Sequence, residues 1–291
     1  ETIDISVSES LENLDGLRGC NSLEEINISA VRHSKSSLKN VDGLMGLKEL
    51  KHVNFSNFNS LKNVNGFEGC TALESISIVS DSLENLNGLQ NLKALNSIDL
   101  SAKKLKNIDG LAGSENLEQF RIDGESLENL NGLKGCNKFK ELDIPRLPNS
   151  LNLDVFAYMD GLRRINFEGC NLTSFVFTQK IPRIVGVKLI YCNELKSLEG
   201  VGNLTNLTKI VIKDCAKLEN LKGLDGTKTL ESVIIQDCKS LKDVDALLSL
   251  PKLEILKMRS CGIKKEELPE HLQVMVETTI SYDDWNIDDN S

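Results

Sequence analysis

The sequence predicts an α/β chain, a right-handed solenoid with a parallel β-sheet along one side and short helical, 3₁₀ or extended segments along the other. Three observations predict it. First, LKSLEGVGNLTNLTKIVIKDCAK at 195–217 returns 23 residues later as LENLKGLDGTKTLESVIIQDCKS, and self-similarity at a fixed period marks a stack of coils. Second, apolar positions within a unit step by three and finally by two, as in Leu61, Val64, Phe67, Cys70, Leu73, Ile76 and Ile78. The closing alternation is that of a strand with one buried face, and three-residue steps suit tight 3₁₀-like turns. Third, an Asp-Gly or Asn-Gly pair recurs at one phase, in Asp15-Gly16, Asp42-Gly43, Asn65-Gly66, Asn87-Gly88, Asp109-Gly110 and Asn131-Gly132. The Asx side chain is expected to accept backbone N–H bonds at the turn, and the glycine to permit close stacking of coils. The hand follows from the bias of parallel crossovers.

Taken in order, 1–10 is an incomplete first unit in which Ile3 and Ile5 look like strand residues. Region 11–262 holds about eleven repeats, whose first leucines are Leu11, Leu38, Leu61, Leu83, Leu105, Leu127, Leu151, Leu172, Leu195, Leu218 and Leu241. The pattern frays over 145–182, with three of the five prolines, and reads as a reshaped turn or as an element that contacts a partner. Region 263–291 resembles a capping helix and strand closed by an acidic tail, and stacked repeats need such caps. The whole of 1–291 is expected to form one domain, because a repeat array grows along an axis without a size limit on its core.

Composition narrows the function classes. Aromatic residues make up 4% of the chain, so the core rests on stacked Leu, Ile and Val. A formal charge of -9 and a pI near 5.1 argue against the basic footprint that phosphate backbones require. No run of 18 apolar residues exists, so no helical membrane span is expected. The opening ETIDIS has neither a Met nor the basic-then-apolar layout of a signal peptide, and reads as a processing boundary with chain upstream.

These units resemble leucine-rich repeats of the short, roughly 22-residue class found in internalins and phosphatase-regulator-like arrays. The resemblance covers about residues 3–276. It implies a curved stack with the parallel sheet on its concave side, and it says little about function. Where this family closes its strand with Asn or Cys, the chain has Cys170, Cys192, Cys215, Cys238 and Cys261. That spacing predicts a buried ladder of free thiols. The same phase in the first half holds Val31, Phe58, Asp81, Lys103, Glu125 and Leu147, which implies less regular turns. Cys20, Cys70 and Cys136 look like small core fillers. Zinc is disfavoured because the close Cys pairs of zinc sites are absent.

The case for catalysis is thin. His33, His52 and His271 fall at unrelated phases, no Gly-rich loop ends in Lys-Ser or Lys-Thr, and the repeated turn acids have a structural cause. No catalytic residue, cofactor or metal is assigned.

The concave face carries the functional reading. Outward positions of the first half are small and polar: Asn27, Ser29, Asn54, Ser56, Ser75, Ser77, Ser97 and Asp99, with His52 and Val79 as exceptions. In the second half Ile190, Tyr191, Val211, Ile234, Ile255 and Met275 form an apolar strip, rimmed by Lys188, Lys209, Lys213, Lys257 and Arg259. Apolar side chains in a row mark an interface. Two alternatives stay open: a sheet that favours β-branched residues, and a strip covered by the C-terminal tail. The expected function is a monomeric, non-catalytic recognition module or scaffold, such as a bacterial surface or effector protein. Its protein partner would present an apolar patch with acidic edges. A regulatory array serving a separate catalytic domain is the second class and polysaccharide binding a weaker third. Unpaired thiols suggest the cytosol, of the source cell or of a host, with a secreted or surface location as the alternative.

Overall fold

The computed structural model describes residues 1–7, 11–31, 37–148, 151–281 and 284. The chain divides into two compact units, one of Glu1–Phe139 with Tyr158–Asp160 and one of Lys140–Ala157 with Gly161–Ser291. Each carries one six-stranded sheet whose strands pair with their sequence neighbours. The first holds β1 (Thr2–Val7), β2 (Glu25–Ala30), β3 (His52–Ser56), β4 (Ser75–Val79), β5 (Ser97–Ser101) and β6 (Gln119–Asp123). The second holds β7 (Glu141–Pro145), β8 (Arg164–Glu168), β9 (Gly186–Ile190), β10 (Lys209–Lys213), β11 (Ser232–Gln236) and β12 (Ile255–Arg259). All pairings are parallel and in register, so equivalent residues of successive coils sit side by side.

From β2 to β12 each strand buries its second and fourth residues, as Val53 and Phe55 or Ile210 and Ile212, and the three-residue steps bury the rest of the coil, whereas in β1 at the sheet edge Ile3 is half-buried and Ile5 exposed. In the coil that begins at Leu61, the side chains of Leu61, Val64, Phe67, Cys70, Leu73, Ile76 and Ile78 all lie inside. Each such aliphatic side chain contributes roughly 1.5–3 kcal/mol on burial, which lets a core with few rings hold together.

The turn chemistry differs in one respect from expectation. The Asx beside glycine opens a 3₁₀ turn, as in Asp42–Leu44 and Asn65–Phe67, and donates its N–H; the acceptor is the Asx two residues earlier. Thus Asn13, Asn40, Asn63, Asn85, Asn107 and Asn129 accept the N–H of Asp15, Asp42, Asn65, Asn87, Asp109 and Asn131 at 3.0–3.2 Å. The glycine's role is as expected. A Cβ built on Gly43 would overlap the carbonyl oxygen of Leu14, and one on Gly66 that of Val41, while Gly16 in the first coil has open space.

The segment 151–157 folds as part of a coil: a 3₁₀ turn, Asp154–Tyr158, buries Val155 and Phe156, and Asn152 forms a parallel bridge with Val176. At the C-terminus, α1 (Glu270–Met275) buries Leu272, and Leu268 and Val276 flank it inside. Glu277 then makes a parallel bridge to Lys257. The expected histidine His33 lies outside the described residues.

Candidate partner-binding face

The outward face of the second unit's sheet is a lattice fixed by strand register. Successive side chains of a strand point to opposite faces, so the first, third and fifth residues of β7 to β12 form three rows. The first row reads Glu141, Arg164, Gly186, Lys209, Ser232, Ile255; the central row Asp143, Asn166, Lys188, Val211, Ile234, Lys257; the third row Pro145, Glu168, Ile190, Lys213, Gln236, Arg259. Neighbours along a row stand about 4.8 Å apart, and each row joins polar and apolar stretches.

The structure brings most of the expected residues together, with three corrections. Val211 and Ile234 are central in the lattice but are 0% and 1% exposed, and Ile280 packs on both. They are therefore not open anchors. The cause is the path of the chain after α1: Glu277 pairs with β12 through Met258 N–H to the Glu277 carbonyl at 2.8 Å and Glu277 N–H to the Leu256 carbonyl at 2.9 Å. The chain then lays Ile280 over the strip. Met275 belongs to α1 and not to a strand, because the strand period ends with β12. Tyr191 follows β9 in a left-handed turn, φ 55°, which carries it to the margin of the face, 49% exposed.

Of the remaining apolar positions, Ile255 is 46% exposed and Ile190 half-buried. Lys188, Lys209 and Lys213 are half-buried and Arg259 is exposed. Lys257 pairs with Asp284 at 2.8 Å and Glu277 at 3.3 Å, leaving its side chain 19% exposed. The Asp284 bond raises the Lys257 ammonium above its ordinary value. Burial works against ionised Asp284, yet Lys257 and the Ser281 N–H and hydroxyl, at 2.6 and 2.9 Å, hold its carboxyl below the usual range.

At the other end of the lattice a polar group escaped sequence reasoning. Arg164 donates to Glu141 at 3.0 Å, and the Asn166 amide donates to Glu141 at 2.5 Å and to Asp143 at 2.6 Å. Burial opposes the Glu141 charge, but Arg164 and Asn166 hold its carboxyl below the ordinary value. The residues stand at recognisable strand positions, so their adjacency was readable from the period.

The thiol ladder lies under the strand ends. Cys170, Cys192, Cys215 and Cys238 are buried and Cys261 partly so, all unpaired. The Cys170 thiol donates to the Ile144 carbonyl at 3.2 Å, and Cys192, Cys215 and Cys261 reach the preceding coil at 3.7 Å. Hydrogen bonding to Cys192 and burial push the Cys170 thiol up; burial pushes Cys261 to about 12 and Cys70 and Cys136 to about 11. Cys20 is exposed, contrary to its expected role as a core filler, because it belongs to the outermost full coil. The expected first-half phase also shifts. In the four coils of β2, β4, β5 and β6 the inward position comes one residue earlier, at Ala30, Ser80, Ala102 and Gly124, while Val31, Asp81, Lys103 and Glu125 face outward. Those four coils lack the left-handed residue that stands before the other ladder positions, as Asn57 before Phe58 and Asp214 before Cys215. The Ser80 hydroxyl takes over the thiol's task, donating to the Phe58 carbonyl at 2.7 Å.

Among the described residues no group of three or more His, Cys, Asp or Glu is arranged to hold a metal, and no helix is long and apolar enough to cross a membrane. In-register parallel strands, three-residue coil steps and a strand-closing ladder define a leucine-rich-repeat solenoid, a class of protein-interaction module. The chain belongs to the BspA-type leucine-rich-repeat family, which matches in six copies over residues 2–104, 49–163 and 161–284. No curated protein matches the sequence significantly. Similar solved structures include an internalin, InlF, of Listeria monocytogenes, 12% identical over 84% of this chain and 81% of that one with a TM-score of 0.42. A leucine-rich-repeat protein of Leptospira interrogans is 16% identical over 88% and 90%, TM-score 0.41. The functional domain of InlJ from Listeria monocytogenes, described as including a cysteine ladder, is 13% identical over 81% and 62%, TM-score 0.40.

Proposed function

We propose that the outward sheet face of the second unit binds a protein partner whose contact surface is apolar with acidic edges. The carrying observation is the lattice itself: register sets Ile190 and Ile255 among Lys188, Lys209, Lys213, Lys257 and Arg259, with Tyr191 exposed in the turn after β9, on a chain whose net charge is -9. Interfaces draw their energy from a few desolvated apolar or aromatic anchors, while rim charges act on approach and register. A local cationic rim on an acidic molecule orients an acidic partner. The corresponding face of the first unit, with Asn27, Asn54, Ser75, Ser77 and Ser97 outward, carries the exposed aliphatic side chain of Val79 among small polar ones. No chemical step is assigned to either face.

The test compares proteins captured by three forms of the full chain: wild type, Tyr191→Asn with Ile255→Ser, and Ser75→Asp with Ser97→Asp. Asn tolerates the left-handed turn at position 191, so that variant removes the ring without straining the backbone. A partner retained by the serine variant and lost from the Tyr191/Ile255 variant supports the reading. Loss confined to the serine variant, or no selective loss, overturns it.

A further inference from the structure

We propose that the segment beginning at Glu277 is a built-in substitute for the partner, and that an extended, acidic and apolar segment of the partner binds by taking its place over Val211 and Ile234. The inference rests on the recognition role proposed above and adds what the partner presents and what it must displace.

The segment has the chemistry that the face selects. Its backbone extends the sheet at the β12 edge through the two hydrogen bonds between Glu277 and β12. Its apolar side chain Ile280 is buried in one cluster with Val211 and Ile234. Two of its acids, Glu277 and Asp284, converge on Lys257, and Ser281 fixes the Asp284 carboxylate from the same side. Addition of a strand at a sheet edge with one side chain in an apolar site is a general way of recognising a peptide. Among the described residues the attachment is slight beside the coil core: one isoleucine, one bridge and one cation. A segment held so lightly opens without the coils unfolding, because local openings follow local contact density. While it is seated, it lowers the partner's apparent affinity by the fraction of molecules that are open.

The test uses a fluorescent peptide of sequence ETTISYDD, that of 277–284, titrated against full-length wild type and against Ile280→Ser with Asp284→Asn. The expected result is binding to the variant at least about tenfold tighter than to wild type, abolished when Ile234→Asp is added. Equal binding to both, or no binding to a variant that still melts cooperatively, overturns the proposal. Should the variant fail to fold, hydrogen exchange of wild type decides: the Glu277 amide is expected to exchange by local opening, well before the β10 and β11 amides. Equal protection overturns it. If the peptide exchanges as expected while the Tyr191/Ile255 variant loses no partner, the recognition role fails and the covering segment stands.

Discussion

Gly66 and Gly16 occupy the same position in two coils and have opposite tolerance. A Cβ at Gly66 would overlap the Val41 carbonyl of the coil beneath, whereas Gly16 meets nothing. Gly66→Ala is therefore expected to destabilise the chain by about 1–3 kcal/mol through forced separation of coils, and Gly16→Ala to stay within about 0.5 kcal/mol. Urea midpoints of the two variants check this; equal effects would mean that stacking is not the reason for the glycine. Asn107→Ala removes the acceptor of the Asp109 N–H and is expected to cost about 1 kcal/mol. The asparagine stands at this phase in each of the six coils from Asn13 to Asn129. It was passed over because Asx-Gly is the stronger turn signal, although the Asx of that pair here donates its backbone N–H.

At the scale of the element, strand and coil positions were legible because register repeats what the period states. The ladder phase of the first half was not, since loss of one left-handed residue moves the inward position from Asp81 to Ser80, and its only trace in the sequence is a strand-to-strand step of 22 residues after β4 in place of the 23 before it. The thiols give two expectations. In native protein one thiol, Cys20, should react rapidly with a thiol reagent, and eight should react after denaturation without reductant; fewer would indicate disulfides. Burial raises the folded values of Cys70 and Cys136 from 9.0 to about 11. A raised folded value means that their contribution is full below pH 9 and is lost as pH climbs through about 11, because the unfolded chain ionises first. Denaturant midpoints should fall across that window, and Cys70→Ser with Cys136→Ser should flatten the fall.

The molecule as a whole shows where the sequence stops informing. The candidate face was readable in outline, since Lys188, Ile190, Lys209, Lys213, Ile255, Lys257 and Arg259 stand where the period puts them. The burial of Val211 and Ile234 was not, because Ile280 reaches them along a path that no repeat encodes. Asp284 makes that covering contact sensitive to acid. Its carboxyl is held below the ordinary value, so its contribution is present above the usual carboxylate range and is lost as pH falls through the folded value. The protection factor of the Met258 amide, which donates to Glu277, should drop on acidification while those of β10 hold. The central claim, recognition by the second unit's sheet face, is tested most directly by the dissociation constant of a captured partner against the three forms of the chain. Tyr191→Asn with Ile255→Ser is expected to weaken binding about tenfold or more, a loss of about 1.4 kcal/mol, and Ser75→Asp with Ser97→Asp less than about twofold; the reverse order would contradict the account.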